Sequence, residues 1–437
     1  MTNAHHAPQT IAIIGGGPAG LFAAEYLASR GFSVDVYERK PSLARKFLMA
    51  GRGGLNITHS ENIDRFIEKY GDRSPMLAPS IAAFTPSDMR DWCAGLGQDT
   101  FIGSSGRVFP HSFKASPLLR AWQKRLEELG VRIHLKHQWS GWDADGALIF
   151  TNTDDTADNA TITHTPAATL LALGGASWPK LGSDGSWVAP LAARGIDIAP
   201  LRPANCGFYT NLSRHFLDRF AGTPIKPAGL TLNGQSIRGD IMVTQNGIEG
   251  GAVYALSAAI RTGLENKLSK ASGSEISDVN VQVDLHPDLT HDAIAQKLTR
   301  PFGRLSLSNV LRKYAGLSAV SAGLVQDALH HNPAYAALAS HPAKGSADFA
   351  KALTALIKAV PVRVTAPFAI DRAISSAGGI CFDALDGRFM LKNMKGVFVA
   401  GEMMDWEAPT GGYLLQATFA TALGAAKGIE DYLKKSG

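Results

Sequence analysis

Cysteine is nearly absent from this chain. Cys93, Cys206 and Cys381 are three isolated thiols with no CxxC spacing, which excludes a disulfide framework and fits a reducing compartment. Long apolar runs are missing as well: no stretch approaches the about 18 consecutive apolar residues that a membrane span requires. The opening MTNAHHAPQT is polar, and the apolar run behind it, residues 11–14, is too short for a secretory signal. The expectation is a cytoplasmic protein with no membrane partner. No internal repeat, low-complexity tract or strict glycine period occurs, so disordered and collagen-like classes fall away. With 437 residues, 45% hydrophobic and 19% charged, what remains is a globular chain of two or three domains with a substantial core.

Glycine, by contrast, is abundant at 45 residues, often in doublets at the ends of apolar runs. The N-terminus reads as a βαβ unit: a buried strand at 10–14, a helix over 18–30 and a second strand at 33–38. Between the first strand and the helix lies Gly15-Gly16-Gly17-Pro18-Ala19-Gly20, which contains GxGxxG. In that pattern Gly15 permits a tight turn, Gly17 lets a pyrophosphate lie against bare backbone, and Gly20 lets helix and strand pack closely. The helix N-terminus then faces the negative charge. Glu38 ends the second strand 18 residues after Gly20, where a carboxylate accepts hydrogen bonds from ribose hydroxyls. GxGxxG alone is weak; placed between strand and helix and followed by an acid, it predicts a dinucleotide site.

Further along, a helix at 116–129 leads into a strand at 131–135. Residues 147–150 and 160–163 flank a polar turn and suggest a hairpin, and 168–173 is an apolar strand ending in Gly174-Gly175. The character changes near Pro203: residues 204–286 read as mostly β, 291–360 as helical, and the α/β character returns from Ala366. A buried strand at 396–400 ends in Gly401-Glu402, and Gly411-Gly412 opens a long helix beginning at Tyr413. A distant C-terminal segment of that form decides for FAD over NAD. Glu402 reaches ribityl hydroxyls, and the free N–H groups near Gly412 and Leu414 face the flavin, where the helix dipole favours the anionic reduced ring. No second GxGxxG occurs, so NAD(P)H, if it is the reductant, binds transiently rather than in a Rossmann domain of its own.

These segments, with 53–58, 106–110, 172–176 and 247–252, resemble the bacterial FAD flavoproteins of the aminoacetone oxidase/BaiN type, and the resemblance spans nearly the whole chain. It implies an α/β fold with a discontinuous Rossmann-like FAD-binding domain (1–203 and 366–437). Into this are inserted a β-barrel-like domain (204–290 and 361–365) and a helical segment (291–360). The cofactor residues it implies, together with those read above, are Gly15, Gly17, Pro18, Ala19, Gly20, Glu38, Arg39, Lys46, Arg52, Gly53, Gly54, Asn56, Trp139, Gly174, Gly175, Gly401, Glu402, Gly411, Gly412, Tyr413 and Leu414. Two departures mark a distinct subfamily: Leu55 stands where the family often has cysteine, and Gly247-Ile248-Glu249-Gly250-Gly251 replaces a more usual Gly-Leu-Ser-Gly-Pro.

No catalytic acid or base stands out. His111 is a candidate proton donor beside the flavin, though it reads more readily as a buried or surface histidine without catalytic duty, and Tyr413 is a candidate to polarise a substrate, though it reads at least as readily as core. His330-His331 lacks partners at metal spacing, so no metal is expected. The charge is uneven: 204–365 holds 16 Lys/Arg and 11 Asp/Glu, and 291–365 holds 9 and 3. That basic insert is a candidate to steer an anionic nicotinamide cofactor. The leading expectation is an FAD-dependent oxidoreductase performing two-electron transfer at flavin N5 on a small, partly apolar metabolite, as an NAD(P)H-linked reduction of an activated double bond. The alternatives are an oxygen-dependent amine oxidase and an RNA-modifying flavoenzyme. Against RNA, the basic residues are scattered among alanines with no aromatic interleaving. The sequence leaves the oligomeric state open.

Overall fold

A computed structural model describes residues 10–153, 161–268, 278–340 and 345–436. The chain divides into two compact units, one from the described residues of 1–203 and 374–437 and one from Ala204–Ala373.

The first unit is built on a five-stranded parallel sheet in the order Val397–Val399, Ala168–Leu171, Thr10–Ile14, Ser33–Glu38, Arg132–Leu135. Its inner strands, Val397–Val399, Ala168–Leu171 and Thr10–Ile14, are almost wholly buried, as a parallel sheet covered on both faces demands, and Ile11, Ala12, Ile13, Leu170, Leu171 and Val399 are all buried. The first strand is central. Its C-terminal end therefore opens at the turn that carries the glycines, where doubly wound sheets bind ligands.

The helix Pro18–Ser29 starts with Gly17 at the N-cap and proline in its first turn, the placement at which a missing N–H is harmless. The C-terminal helix, Tyr413–Ser436, packs against it. Small buried residues (Ala19, Ala23 and Ala24 on one helix, Ala417 and Ala420 on the other) permit close approach, and Tyr26 donates to Glu430 across the pair at 2.7 Å. A three-stranded antiparallel sheet (Thr58–His59, Arg107–Pro110, Thr100–Ile102) and a second one (His137–Trp142, Leu148–Asn152, Thr161–His164) complete the unit. The hairpin expected around 147–163 forms, with Leu148 opposite His164; the turn at 154–160 lies outside the described residues.

The second unit holds a closed six-stranded barrel. Around it run Phe208–Thr210, Gly247–Glu249, Gln235–Val243, Pro224–Leu232, Val279–Asp284 and Val360–Pro367, the last pairing with the first. Alternation fills the interior: Val279, Val281 and Val283 are buried while Asn280 and Gln282 face out. The segment 204–286 is less β-rich than its sequence suggests, because Arg214–Phe220, Gly251–Ala255 and Ser257–Leu268 are helices. Four helices of 291–358 begin at hydroxyl caps: Thr290, Ser306, Ser318 and Ser346 each accept a backbone N–H of their own first turn. No helix among the described residues is long and apolar enough to cross a membrane, and no cluster of His, Cys, Asp and Glu among them is arranged to hold a metal ion.

Candidate cofactor cavity

At the C-terminal end of the central strand the first unit encloses a cavity of about 430 Å³. The glycine turn forms its floor. Gly15 holds φ +113°, and a methyl group there would lie 2.3 Å from the Ala172 carbonyl oxygen, so only glycine lets the two strands approach. Gly17 is the opposite case: a methyl group on it would meet nothing within 4 Å, leaving bare backbone beside open space at a helix N-terminus. Gly20 does not line the cavity. Its Cα lies over the Gly15 carbonyl, where an added methyl would come within 2.0 Å, so it sets the helix-to-strand spacing.

Glu38 closes one side. Its Oε2 accepts the Gly16 N–H at 3.0 Å and its Oε1 the Lys40 N–H at 2.8 Å. Burial raises its pKa above the ordinary carboxylate range, opposed by those two backbone hydrogen bonds and by Arg39 and Lys40 nearby. Two ion pairs span the walls. Arg39 meets Asp184 at 2.7 Å, and Lys46 meets Glu402 at 2.8 Å while also donating to Ser177 Oγ at 2.6 Å. Glu402 additionally accepts the Ser376 N–H at 2.9 Å. Its carboxylate is therefore already engaged by protein donors, more heavily than the sequence alone suggests.

From the C-terminal helix come Leu414, Leu415 and Thr418. Helical spacing puts these three on one face and Tyr413 on the other. Tyr413 is buried against Phe66 and stacked on His59 at 5.5 Å, donates its hydroxyl to Glu61, and accepts at its carbonyl from Tyr70 at 2.8 Å. Burial, together with the Glu61 hydrogen bond, pushes its pKa well up. It does not face the cavity.

Of the residues singled out in the sequence, Gly15, Gly17, Pro18, Ala19, Glu38, Arg39, Lys46, Trp139, Gly174, Glu402 and Leu414 line this one space. The others lie behind it or beside it. Gly175 packs on Ser376, and Gly401 packs on Ala19 and donates its N–H to Thr421. Gly412 packs on Thr58, Gly411 beside Tyr413, and Gly54 against Phe113 and Phe109. Asn56 bridges the Thr58 and Val108 carbonyls, Gly53 is exposed, and so is His111. The Arg52 side chain lies outside the described residues. Sequence reading missed Arg45, Trp178, Ser183, Asp184 and Trp187, which also line the cavity; the glycines at 182 and 185 around Ser183-Asp184 were the available signal for a close-packed turn there.

The donor set fits a dinucleotide. Among the described residues, four on the cavity wall carry a buried polar atom with no partner: Arg39 Nε, Arg45 Nε, Trp139 Nε1 and Ser183 Oγ. Buried polar groups are otherwise almost always hydrogen-bonded, so these await a polar ligand. Bare backbone at Gly17, a helix N-terminus and a ribose-type carboxylate complete the arrangement.

Comparison with known proteins agrees. Residues 9–428 match the family described as the HI0933-like protein Rossmann domain. The chain is 25% identical over 429 residues to the 3-dehydro-bile acid delta(4,6)-reductase of Clostridium scindens, covering 94% of this chain and 96% of that one. Over 249 residues it is 26% identical to the ribosomal RNA dihydrouridine synthase of Haemophilus influenzae, covering 56% and 60%. Among solved structures, 3-ketosteroid delta1-dehydrogenase from Sterolibacterium denitrificans shares the fold, with a TM-score of 0.50 at 13% identity over 97% of this chain and 100% of that one. The chain belongs to the HI0933-like FAD-binding Rossmann family, of the aminoacetone oxidase/BaiN type, and is an FAD-dependent oxidoreductase.

Proposed function

We propose that this enzyme uses NAD(P)H to saturate a carbon–carbon double bond conjugated to a carbonyl in a small, partly apolar metabolite. The observation that carries this reading is the end-to-end match to a reductase of a delta(4,6) system. Bound FAD supplies the two-electron chemistry that no side chain provides. The protein's part is to hold it. Gly15, Gly17, Pro18 and Ala19 cradle the pyrophosphate, with Arg45 and Lys46 opposite. Glu38 accepts from the adenosine ribose, Arg39 and Trp139 flank the adenine end, and Gly174, Glu402 and Leu414 border the far end. Residues 1–203 and 374–437 act as the cofactor-binding domain, with the rest as its insert.

Anaerobic mixing of the FAD-loaded protein with NADPH or NADH tests the reading. Rapid bleaching of the flavin band, reversed by a conjugated enone such as 2-cyclohexen-1-one, is the expected result. No bleaching with either nucleotide overturns the nicotinamide linkage.

A second reading, reduction of a base in RNA, is favoured by the match to a ribosomal RNA dihydrouridine synthase. The exposed cations Lys297, Arg300, Arg304, Arg312 and Lys313 of the insert suit a phosphate backbone. Salt-dependent retention on RNA, steep in log salt, is its test.

A further inference from the structure

One loop borders the cofactor cavity from end to end. Trp178, Leu181, Gly182, Ser183 and Asp184 all line it. At one end Ser177 Oγ accepts from Lys46, which also meets Glu402. At the other, a methyl group on Gly182 would lie 3.4 Å from the Lys40 side chain and 3.9 Å from Glu38 Oε1. The loop therefore runs from the Glu402 side of the cavity to the Glu38 side. Lys180 and Asp184 are exposed while Ser183 is buried, so the segment has a solvent face and a cavity face.

The loop is held mainly at its base. The Gly185 N–H bonds the Gly175 carbonyl at 3.2 Å, and the Trp187 indole N–H bonds the Gly174 carbonyl at 2.9 Å. Residues 175–185 are thereby closed into an Ω-loop whose ends touch. Between those ends, among the described residues, the backbone of 178–184 bonds only to itself, Leu181 N–H to Trp178 and Gly182 N–H to Pro179. One side-chain hydrogen bond ties that stretch to the rest of the unit, from Arg39 to Asp184 at 2.7 Å. Burial works against ionisation of Asp184, yet the Arg39 guanidinium and the Ser186 N–H hold its pKa below the ordinary carboxylate value. Gly174 and Gly185 hold φ +69° and +70°, backbone that glycine adopts freely and that suits a hinge.

Ser183 points to a ligand independently. It is 7% exposed, lines the cavity, and its Oγ has no partner. A buried hydroxyl left unpaired costs free energy, which a polar group in the cavity recovers.

We propose that residues 175–185 are the clasp through which FAD enters and leaves: the Arg39–Asp184 ion pair latches the loop shut, and Ser183 Oγ hydrogen-bonds the bound cofactor. The proposal rests on the reading of this cavity as the FAD site and is independent of the substrate. A latch and a contact differ in their kinetics. The ion pair joins two residues of the protein and needs no ligand atom, so breaking it raises the open fraction with and without FAD, and entry and exit both quicken. Losing a hydrogen bond to the cofactor quickens exit alone.

The test follows flavin fluorescence of the full chain: uptake of FAD by the apoprotein after rapid mixing, and release from the loaded protein after dilution. In Asp184→Asn both rates are expected to rise about fivefold while the dissociation constant holds within about twofold. In Ser183→Ala release alone is expected to rise about fivefold, and affinity falls by the same factor. Raising salt to about 1 M screens the ion pair and should quicken release from the parent chain more than from Asp184→Asn. Faster release without faster uptake in Asp184→Asn, or equal salt effects on the two proteins, overturns the latch, and unchanged release in Ser183→Ala overturns the contact. Apoprotein melting temperature reports whether each variant folds; should Asp184→Asn not fold, release from the parent chain that salt leaves unmoved overturns the latch. If Gly17→Ala weakens FAD while Asp184→Asn changes neither rate, the clasp fails and the cavity reading stands. FAD binding undiminished in Gly17→Ala overturns the cavity reading itself.

Discussion

Gly16 and Glu38 are joined by a 3.0 Å hydrogen bond from the glycine N–H to the carboxylate, so the turn after the first strand and the acid at the end of the second form one rigid corner. With the Lys40 N–H on its other oxygen, the carboxylate is fixed in place before any ligand arrives. Glu38→Gln keeps the shape and loses the charge. Hydrogen bonds to charged groups contribute about 1.5–3 kcal/mol, so FAD affinity of the apoprotein, measured by fluorescence titration, is expected to fall about 10- to 100-fold.

The same carboxylate gives the site a pH dependence. Burial raises the pKa of Glu38 in the ligand-free protein, while ribose hydroxyls donate to the ionised form and lower it on binding. Affinity for FAD is therefore full above the raised value and declines as pH falls through it, at a higher pH than an ordinary glutamate would impose. Titrations across mildly acidic pH check this; Glu38→Gln should flatten the profile.

Gly17 and Gly20 are both glycine for reasons of space, but of different space. Gly17→Ala meets no protein atom within 4 Å and should lower apoprotein stability by under about 1 kcal/mol, the cost of alanine at a helix N-cap, while filling the place of a pyrophosphate and sharply weakening FAD. Gly20→Ala drives a methyl into the Gly15 carbonyl. The helix-propensity gain of about 1 kcal/mol does not offset overpacking of about 1–3 kcal/mol or more against backbone, so this variant loses both stability and cofactor. Denaturant unfolding of the two apoproteins separates them.

Lys46→Met leaves Glu402, almost fully buried, without its cation. The expected loss is about 1–3 kcal/mol in the apoprotein, and Glu402→Gln, which retains an acceptor for Ser376, should lose less. Chemical unfolding of both variants tests the order.

Tyr413→Phe should leave FAD content unchanged, because the ring faces away from Leu414, Leu415 and Thr418. It removes one hydrogen bond to the Glu61 carboxylate, worth about 1.5–3 kcal/mol, and lowers the melting temperature accordingly.

The contrast between Tyr413 and Glu38 marks what the sequence can carry. Glu38 is legible because its role is local: strand, turn, helix and strand follow in fixed order, and the geometry of a βαβ unit places the acid. Tyr413 adjoins the right motif, yet a rotation of about 100° per residue along a helix decides which neighbour meets the ligand. Lys46 and Glu402 were each marked for the cofactor, but their pairing joins positions 356 residues apart, a contact that only the folded sheet creates. Asp184 and Trp178 stayed hidden because a polar turn after Gly174-Gly175 has no periodicity to read.

One feature of the second unit bears on how such a chain arose. The barrel closes by pairing its first strand with its last, Phe208 opposite Pro367, so the segment leaves close to where it enters. A module whose two ends are held side by side can be spliced into a surface turn of a host without prising that host apart. Its loops and helices are then free to vary in length and composition while the turn at Gly15 and Glu38 in the first unit keeps its shape.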